Sequence, residues 1–83
     1  MSEVIIKKKG IFTTLDRENL IEIHETGDGV VFNFKKGLHL TYTDPNMPMA
    51  TKNIMKNAAD SFNAKKIIFD LDNYNKPTSI DCT

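Results

Sequence analysis

The sequence predicts an α+β fold, an antiparallel β-meander of three to five strands with one amphipathic helix packed on its apolar face. Three observations predict it. Between Leu20 and Thr43, apolar and polar residues alternate in three runs, the pattern of strands that bury one face. The two breaks between those runs are short and contain glycine. From Met49 onward the apolar spacing changes to three and four, the period of a helix.

The first β-rich run holds Val4, Ile5 and Ile6, followed by three lysines, and Gly10 interrupts it before Ile11 to Leu15 resumes the same composition. One strand bulged at Gly10 and two short strands both fit. Leu15 to Asn19 is a polar turn, and Leu20 to Glu25 alternates again, with Ile21 and Ile23 on one face and Glu22 and His24 on the other. Thr26, Gly27, Asp28 and Gly29 tolerate positive φ. A two-residue or a four-residue loop there gives the same pairing, Ile23 with Phe32 and Ile21 with Phe34.

The next two strands fix their own register. Val30, Phe32 and Phe34 share one face, as do Leu38, Leu40 and Tyr42. If Lys35, Lys36 and Gly37 form a three-residue loop with Gly37 left-handed, Phe34 faces Leu38, Phe32 faces Leu40 and Val30 faces Tyr42. A two-residue loop at Lys36 and Gly37 would pair Phe34 with His39 and mix the faces, which a half-buried sheet penalises. The three-residue loop is therefore expected.

After Thr43, the run Asp44, Pro45, Asn46, Met47, Pro48 leaves the sheet, because proline lacks a backbone donor and holds the preceding residue extended. A helix starts near Pro48 or Met49, with Ala50, Ile54, Met55, Ala58, Ala59 and Phe62 as its apolar stripe. Lys52, Asn53, Lys56, Asn57 and Asp60 occupy the other side. Asn63 and Ala64 close the helix, with Asn63 as a left-handed cap, and Lys65 to Leu71 forms a fifth strand. That strand fits either parallel to the third meander strand or beside the N-terminal strand. Residues 1–72 are expected to form a single α+β domain, and 73–83 a loose C-terminal tail on which Ile80 has a place to dock.

Eighty-three residues suit one small domain that buries only somewhat more than about 60% of its unfolded surface, so a second subunit would add useful core. Eleven basic and eleven acidic side chains cancel, leaving no whole-molecule field that draws in nucleic acid or an acidic membrane. The single cysteine, Cys82, has no internal disulfide partner, which fits a reducing compartment. No apolar run exceeds three residues, so neither a membrane span nor a secretory signal is expected, and the location read from the sequence is cytoplasmic. Lys, Asn and Ile make up roughly a third of the chain, a bias that suits an AT-rich genome such as that of a phage.

Three constellations bear on chemistry. Ile67 to Asn73, IIFDLDN, resembles the nucleophile motif of the haloacid dehalogenase-like phosphatases. The resemblance implies Asp70 as nucleophile and Asp72 as acid and base. Tyr74 stands where that motif has Thr or Val, and only eleven residues follow Asp72, too few for the downstream motifs of such an enzyme. The same aspartates, with Asp81, occupy the first, third and twelfth positions of a calcium-loop template, but Asn75 replaces its glycine and Tyr74 an oxygen ligand. His24, His39 and Glu22 all point away from the apolar face. Glu22 and His39 lie two strands apart, roughly 9.6 Å, too far for one ion whose bonds to nitrogen are about 2 Å. The remaining candidates are lysines at strand ends and turns, Lys7, Lys8, Lys9, Lys35, Lys36, Lys65 and Lys66, with Lys52 and Lys56 on the helix.

The reading that follows is a small noncatalytic protein-interaction or accessory domain that self-associates, as a homodimer, with no cofactor and no metal. Its interface candidates are Val31, His39, Thr41 and Thr43 on the second face of the meander, polar but weakly charged. The alternative is a nucleic-acid-binding protein using the lysine clusters, and a second alternative is a metal-dependent phosphatase-like site at Asp70 and Asp72.

Overall fold

The computed structural model describes residues 2–61 and 63–83, so Phe62, expected on the helix stripe, lies outside the described residues. The fold is α+β. In chain order it consists of β1 (Glu3–Lys8), β2 (Ile11–Asp16), a 3-10 turn at Arg17–Asn19, β3 (Leu20–Thr26), β4 (Gly29–Phe34), a second such turn at Lys35–Gly37, β5 (His39–Thr43), α1 (Met49–Ala58), β6 (Lys66–Asp70) and β7 (Thr78–Asp81). Seven strands exceed the three to five expected, and they form two sheets. One has the order β2-β1-β6-β7 and the other β3-β4-β5.

The three-stranded sheet is the expected meander. Val30 pairs with Tyr42 and Phe32 with Leu40, and the Phe34 amide donates to the Leu38 carbonyl across the three-residue loop. Gly37 has φ of 76°, but Lys36 also takes a positive φ, 64°. On the other side Ile23 pairs with Phe32 as expected. The expected pair of Ile21 with Phe34 is not formed: a bulge between Leu20 and Glu22 sets Leu20 opposite Phe34. Leu20 is buried, and Ile21, the displaced residue, is 54% exposed. Gly29 is required by crowding rather than by φ, because a Cβ there would run into the Tyr42 carbonyl.

Gly10 separates two strands. Lys9 and Gly10, both at positive φ, form the two-residue loop of a β1–β2 hairpin, the backbone that matches strand twist. β6 joins β1 in parallel, Val4 beside Ile67 and Ile6 beside Phe69. The loose tail is a correction. Thr78–Asp81 pairs antiparallel with β6, Ile67 opposite Ile80 and Phe69 opposite Thr78, because the unpaired edge of β6 accepts another strand.

The sheets meet through their apolar faces. Phe32 of one and Phe69 of the other, both fully buried, stack edge to face with ring centres 5.1 Å apart. Val4, Ile6, Val30, Ile67 and Leu71 complete the centre of the core, and Tyr42 lies edge-on to Phe32 at 5.6 Å.

The helix packs chiefly along β3 and β7, rotated from its expected setting. Its buried residues are Thr51, Lys52, Met55 and Ala58, with Ala59 just beyond, while Ala50 and Ile54 face outward. Two hydrogen bonds explain the rotation. The Thr51 hydroxyl donates to the Tyr74 carbonyl, and the Lys52 ammonium donates to the Thr26 carbonyl at 2.9 Å. A lysine stem can lie along apolar surface while its head finds an acceptor. The helix ends at Ala58 rather than near Asn63. Its last turn tightens into i to i+3 bonds, and the buried Arg17 guanidinium takes the Ala59 carbonyl at 2.8 Å.

Phe32→Ala should lower unfolding stability by about 3 to 5 kcal/mol in a urea titration, since it empties the contact between the sheets. Gly29→Ala should cost about 1 to 3 kcal/mol in the same titration, the usual range for forcing extra volume into a packed site.

Candidate functional site

The four interface candidates come together on the outer face of the three-stranded sheet. Thr41 pairs with Val31, and His39 and Thr43 follow Thr41 at alternate positions along β5. Two neighbouring rows run across the sheet, Glu22–Asn33–His39 and His24–Val31–Thr41. Four polar side chains in those rows form two pairs. His39 Nδ1 donates to Asn33 Oδ1, and His24 Nε2 lies 2.9 Å from Glu22 Oε1. The two histidines sit on different edge strands, in different rows, as the register argument requires. Among the described residues no three His, Cys, Asp or Glu side chains converge on one point.

The lysines do not form one patch. Lys7 and Lys8 end β1, and Lys9 sits in the following turn, whereas Lys66 lies beside Glu3 at the opposite end of the same sheet. Acidic residues separate them: Lys66 stands between Glu3 and Asp81, and Lys7 beside Asp70. Lys65 precedes β6, and Lys35 and Lys36 occupy the β4–β5 loop. Lys8 turns inward and donates to Asp44 at 3.3 Å.

Asp70 and Asp72 lie at the C-terminal end of β6. The Asp72 carboxylate accepts the Lys9 amide at 2.6 Å and the Gly10 amide at 3.0 Å, one on each oxygen. The amides of Gly10 and then Lys9 hold its pKa below the ordinary 3.8. A general acid needs the opposite shift. Asp70 Oδ1 accepts the Asp72 amide, closing a local turn, and Asp81 lies at the far end of β7 beside Lys66. Asp72 thus clamps the β1–β2 turn, and Asp70 bonds within its own loop.

A cluster that the sequence did not single out joins three elements. Asp44, 8% exposed, accepts from the Tyr74 hydroxyl at 2.6 Å and from the Lys8 ammonium at 3.3 Å, both on Oδ2, while Oδ1 accepts the Asn46 amide. Burial pushes its pKa up, but the Tyr74 and Lys8 hydrogen bonds, the charge of Lys8 and the Asn46 amide together hold it below 3.8. The same bond raises the Tyr74 pKa above 10.0. The visible signal was limited to Asp44 before proline, a common turn opener. Its partners are separated from it by 36 and 30 positions.

Comparison of the chain with protein-family models, with curated proteins and with solved structures found no match. No helix among the described residues is long and apolar enough to cross a membrane.

Because the folded pKa of Asp44 lies below the unfolded value of about 3.9, its contribution is complete above that value and is lost as pH falls through the folded pKa. Urea midpoints of the wild type should therefore drop as pH falls below about 3.9. Asp44→Asn should be less stable than wild type at pH 7, and the gap should narrow in acid. A gap that stayed constant would remove Asp44 from this role. Lys9 holds a left-handed conformation that costs a non-glycine residue about 1 to 2 kcal/mol, so Lys9→Asn should raise stability by up to about 1 kcal/mol in thermal unfolding.

Proposed function

We propose that this chain is a noncatalytic protein-interaction domain that self-associates and offers the outer face of the three-stranded sheet, Val31, His39, Thr41 and Thr43, to a protein partner. The observation that carries the reading is the internal pairing of that face. His39 bonds Asn33 and Glu22 bonds His24, while Val31, Thr41 and Thr43 supply β-branched surface between and beside them. A partner that covers this face meets histidine, asparagine and glutamate side chains already paired and need bond only the Thr41 and Thr43 hydroxyls, since an unpaired buried polar group costs about 1 to 3 kcal/mol. The small core gives self-association a thermodynamic motive as well.

Light scattering at micromolar concentration tests self-association. The expected result is a mass above the 9.4 kDa of one chain that rises with concentration, and a constant 9.4 kDa would overturn that part of the reading. Thr41→Arg, at the centre of the face, should leave folding stability within about 0.5 kcal/mol, as at a surface held for a partner rather than for the core. A loss of several times that amount would place Thr41 in the folding core instead.

A further inference from the structure

We infer that the second copy of this chain docks on the free edge of β2, pairing β2 with its own symmetry mate to make one continuous eight-stranded sheet across a two-fold axis. The inference rests on the self-association proposed above and says where it occurs. Three properties of β2 point there. Ile11 is 69% exposed and Phe12 63%, the two most exposed large apolar side chains among the described residues, and they are adjacent on this edge strand. Its first five residues, Ile11 to Leu15, carry no charge and no proline, whereas edges left open in water are usually shortened, bulged or charged. The other edges show such features: β3 is bulged at Ile21 and carries Glu22 and Glu25, β7 has four residues and follows Pro77, and β5 runs into Asp44 and Pro45.

Backbone geometry then sets the register. Lys8 and Ile11 close the two-residue loop, so Ile11, Thr13 and Leu15 direct their amides and carbonyls at β1, and Phe12, Thr14 and Asp16 direct theirs outward. A two-fold axis normal to the sheet keeps the two faces distinct, so a strand residue must oppose one of its own parity. Pairing about Thr13 sets Phe12 opposite Thr14 of the second copy, hydrogen-bonded in both directions, and Ile11 opposite its Leu15 on the core side. The exposed Ile11 thereby extends the apolar row that Leu15 and Val4 begin.

Charge agrees with this pairing and supplies the reason that the occupant is a second copy. Lys9 stands at the turn end of the hairpin, where Lys8 is taken up by Asp44 and Lys7 lies beside Asp70. Glu3 and Asp16, two like charges directly opposed, stand at the other end. An antiparallel two-fold brings Lys9 of one copy beside Asp16 of the next, with Gly10 opposite Asp16. The Lys7 ammonium, 5.9 Å from the Phe12 ring centre, faces the same seam.

Sedimentation velocity over about 1 to 100 µM, with disulfide trapping, tests the placement. Wild type should move from monomer to dimer over this range, and Phe12→Lys should shift the midpoint at least about tenfold upward while its circular dichroism stays native. In a Cys82→Ser background, Thr13→Cys should form an intermolecular disulfide under mild oxidation. Self-opposed residues at a non-hydrogen-bonded position have Cα atoms about 4.5 Å apart, within disulfide range. Thr14→Cys, opposed to Phe12, should trap far less. A dimer unaffected by Phe12→Lys, or trapped equally at both cysteines, overturns the β2 placement and leaves self-association standing. A wild type that stays monomeric throughout overturns both.

Discussion

The edge-to-face contact of Phe32 with Phe69 is the constraint on which the rest of the structure depends. Each ring sits within a row across its sheet, Ile23–Phe32–Leu40 in one and Ile6–Phe69–Thr78 in the other. Because both rows must face the same 5.1 Å contact, the register of every strand around them is bound to that contact. A slip of one residue in any of these strands would turn its buried side chains to water. The bulge at Ile21 fits the same demand, since it brings Leu20 rather than Ile21 opposite Phe34.

Polar residues hold the layers in place at the margins of that core. Asp44 links the end of β5 to Lys8 of β1 and to Tyr74 before β7, Arg17 ties the end of β2 to the helix terminus, and Lys52 ties the helix to β3. Asp72 holds the turn between β1 and β2 through two amides. Each of these charges bridges elements far apart in sequence, and for the buried Asp44, Arg17 and Lys52 a hydrogen bond to a charged group is worth about 1.5 to 3 kcal/mol. For a core this small, such staples are a substantial share of a total stability of about 5 to 15 kcal/mol. Asp72 of IIFDLDN bonds the backbone of a turn, and the buried Asp44 carboxylate bonds across a junction.

What was legible in the sequence was local. The meander register followed from Val30, Phe32 and Phe34 against Leu38, Leu40 and Tyr42, because loop length and alternation both bear on neighbouring strands. The helix was legible as a period, but its facing was not. Apolar count favoured Ala50 and Ile54, while the fold buried Thr51 and Lys52 for hydrogen bonds to Tyr74 and Thr26, partners that periodicity does not reveal. The second sheet was harder still, because β1 and β6 lie about sixty positions apart and pair in parallel, with no turn to set their register. β7, TSID, has one apolar residue and no alternation of its own, so only the open edge of β6 explains why it is a strand. Of the surface candidates, Val31, His39, Thr41 and Thr43 came together because register alone places them. The lysines, spread over three elements, did not.

The open edges follow from the same geometry. Two sheets packed face to face leave four edge strands, and a chain of this length has one helix with which to cover them. That helix lies along β3 and β7, so the edges away from it, β2 and β5, keep their outward amides and carbonyls. β5 ends against Asp44 and Pro45, where the chain leaves the sheet. β2 continues to Asp16 along a free edge that carries Ile11 and Phe12, the two most exposed large apolar side chains among the described residues. The outer face of the meander belongs to the other sheet and points away from that seam. A second copy on β2 would therefore extend the core without obstructing the surface left for a partner.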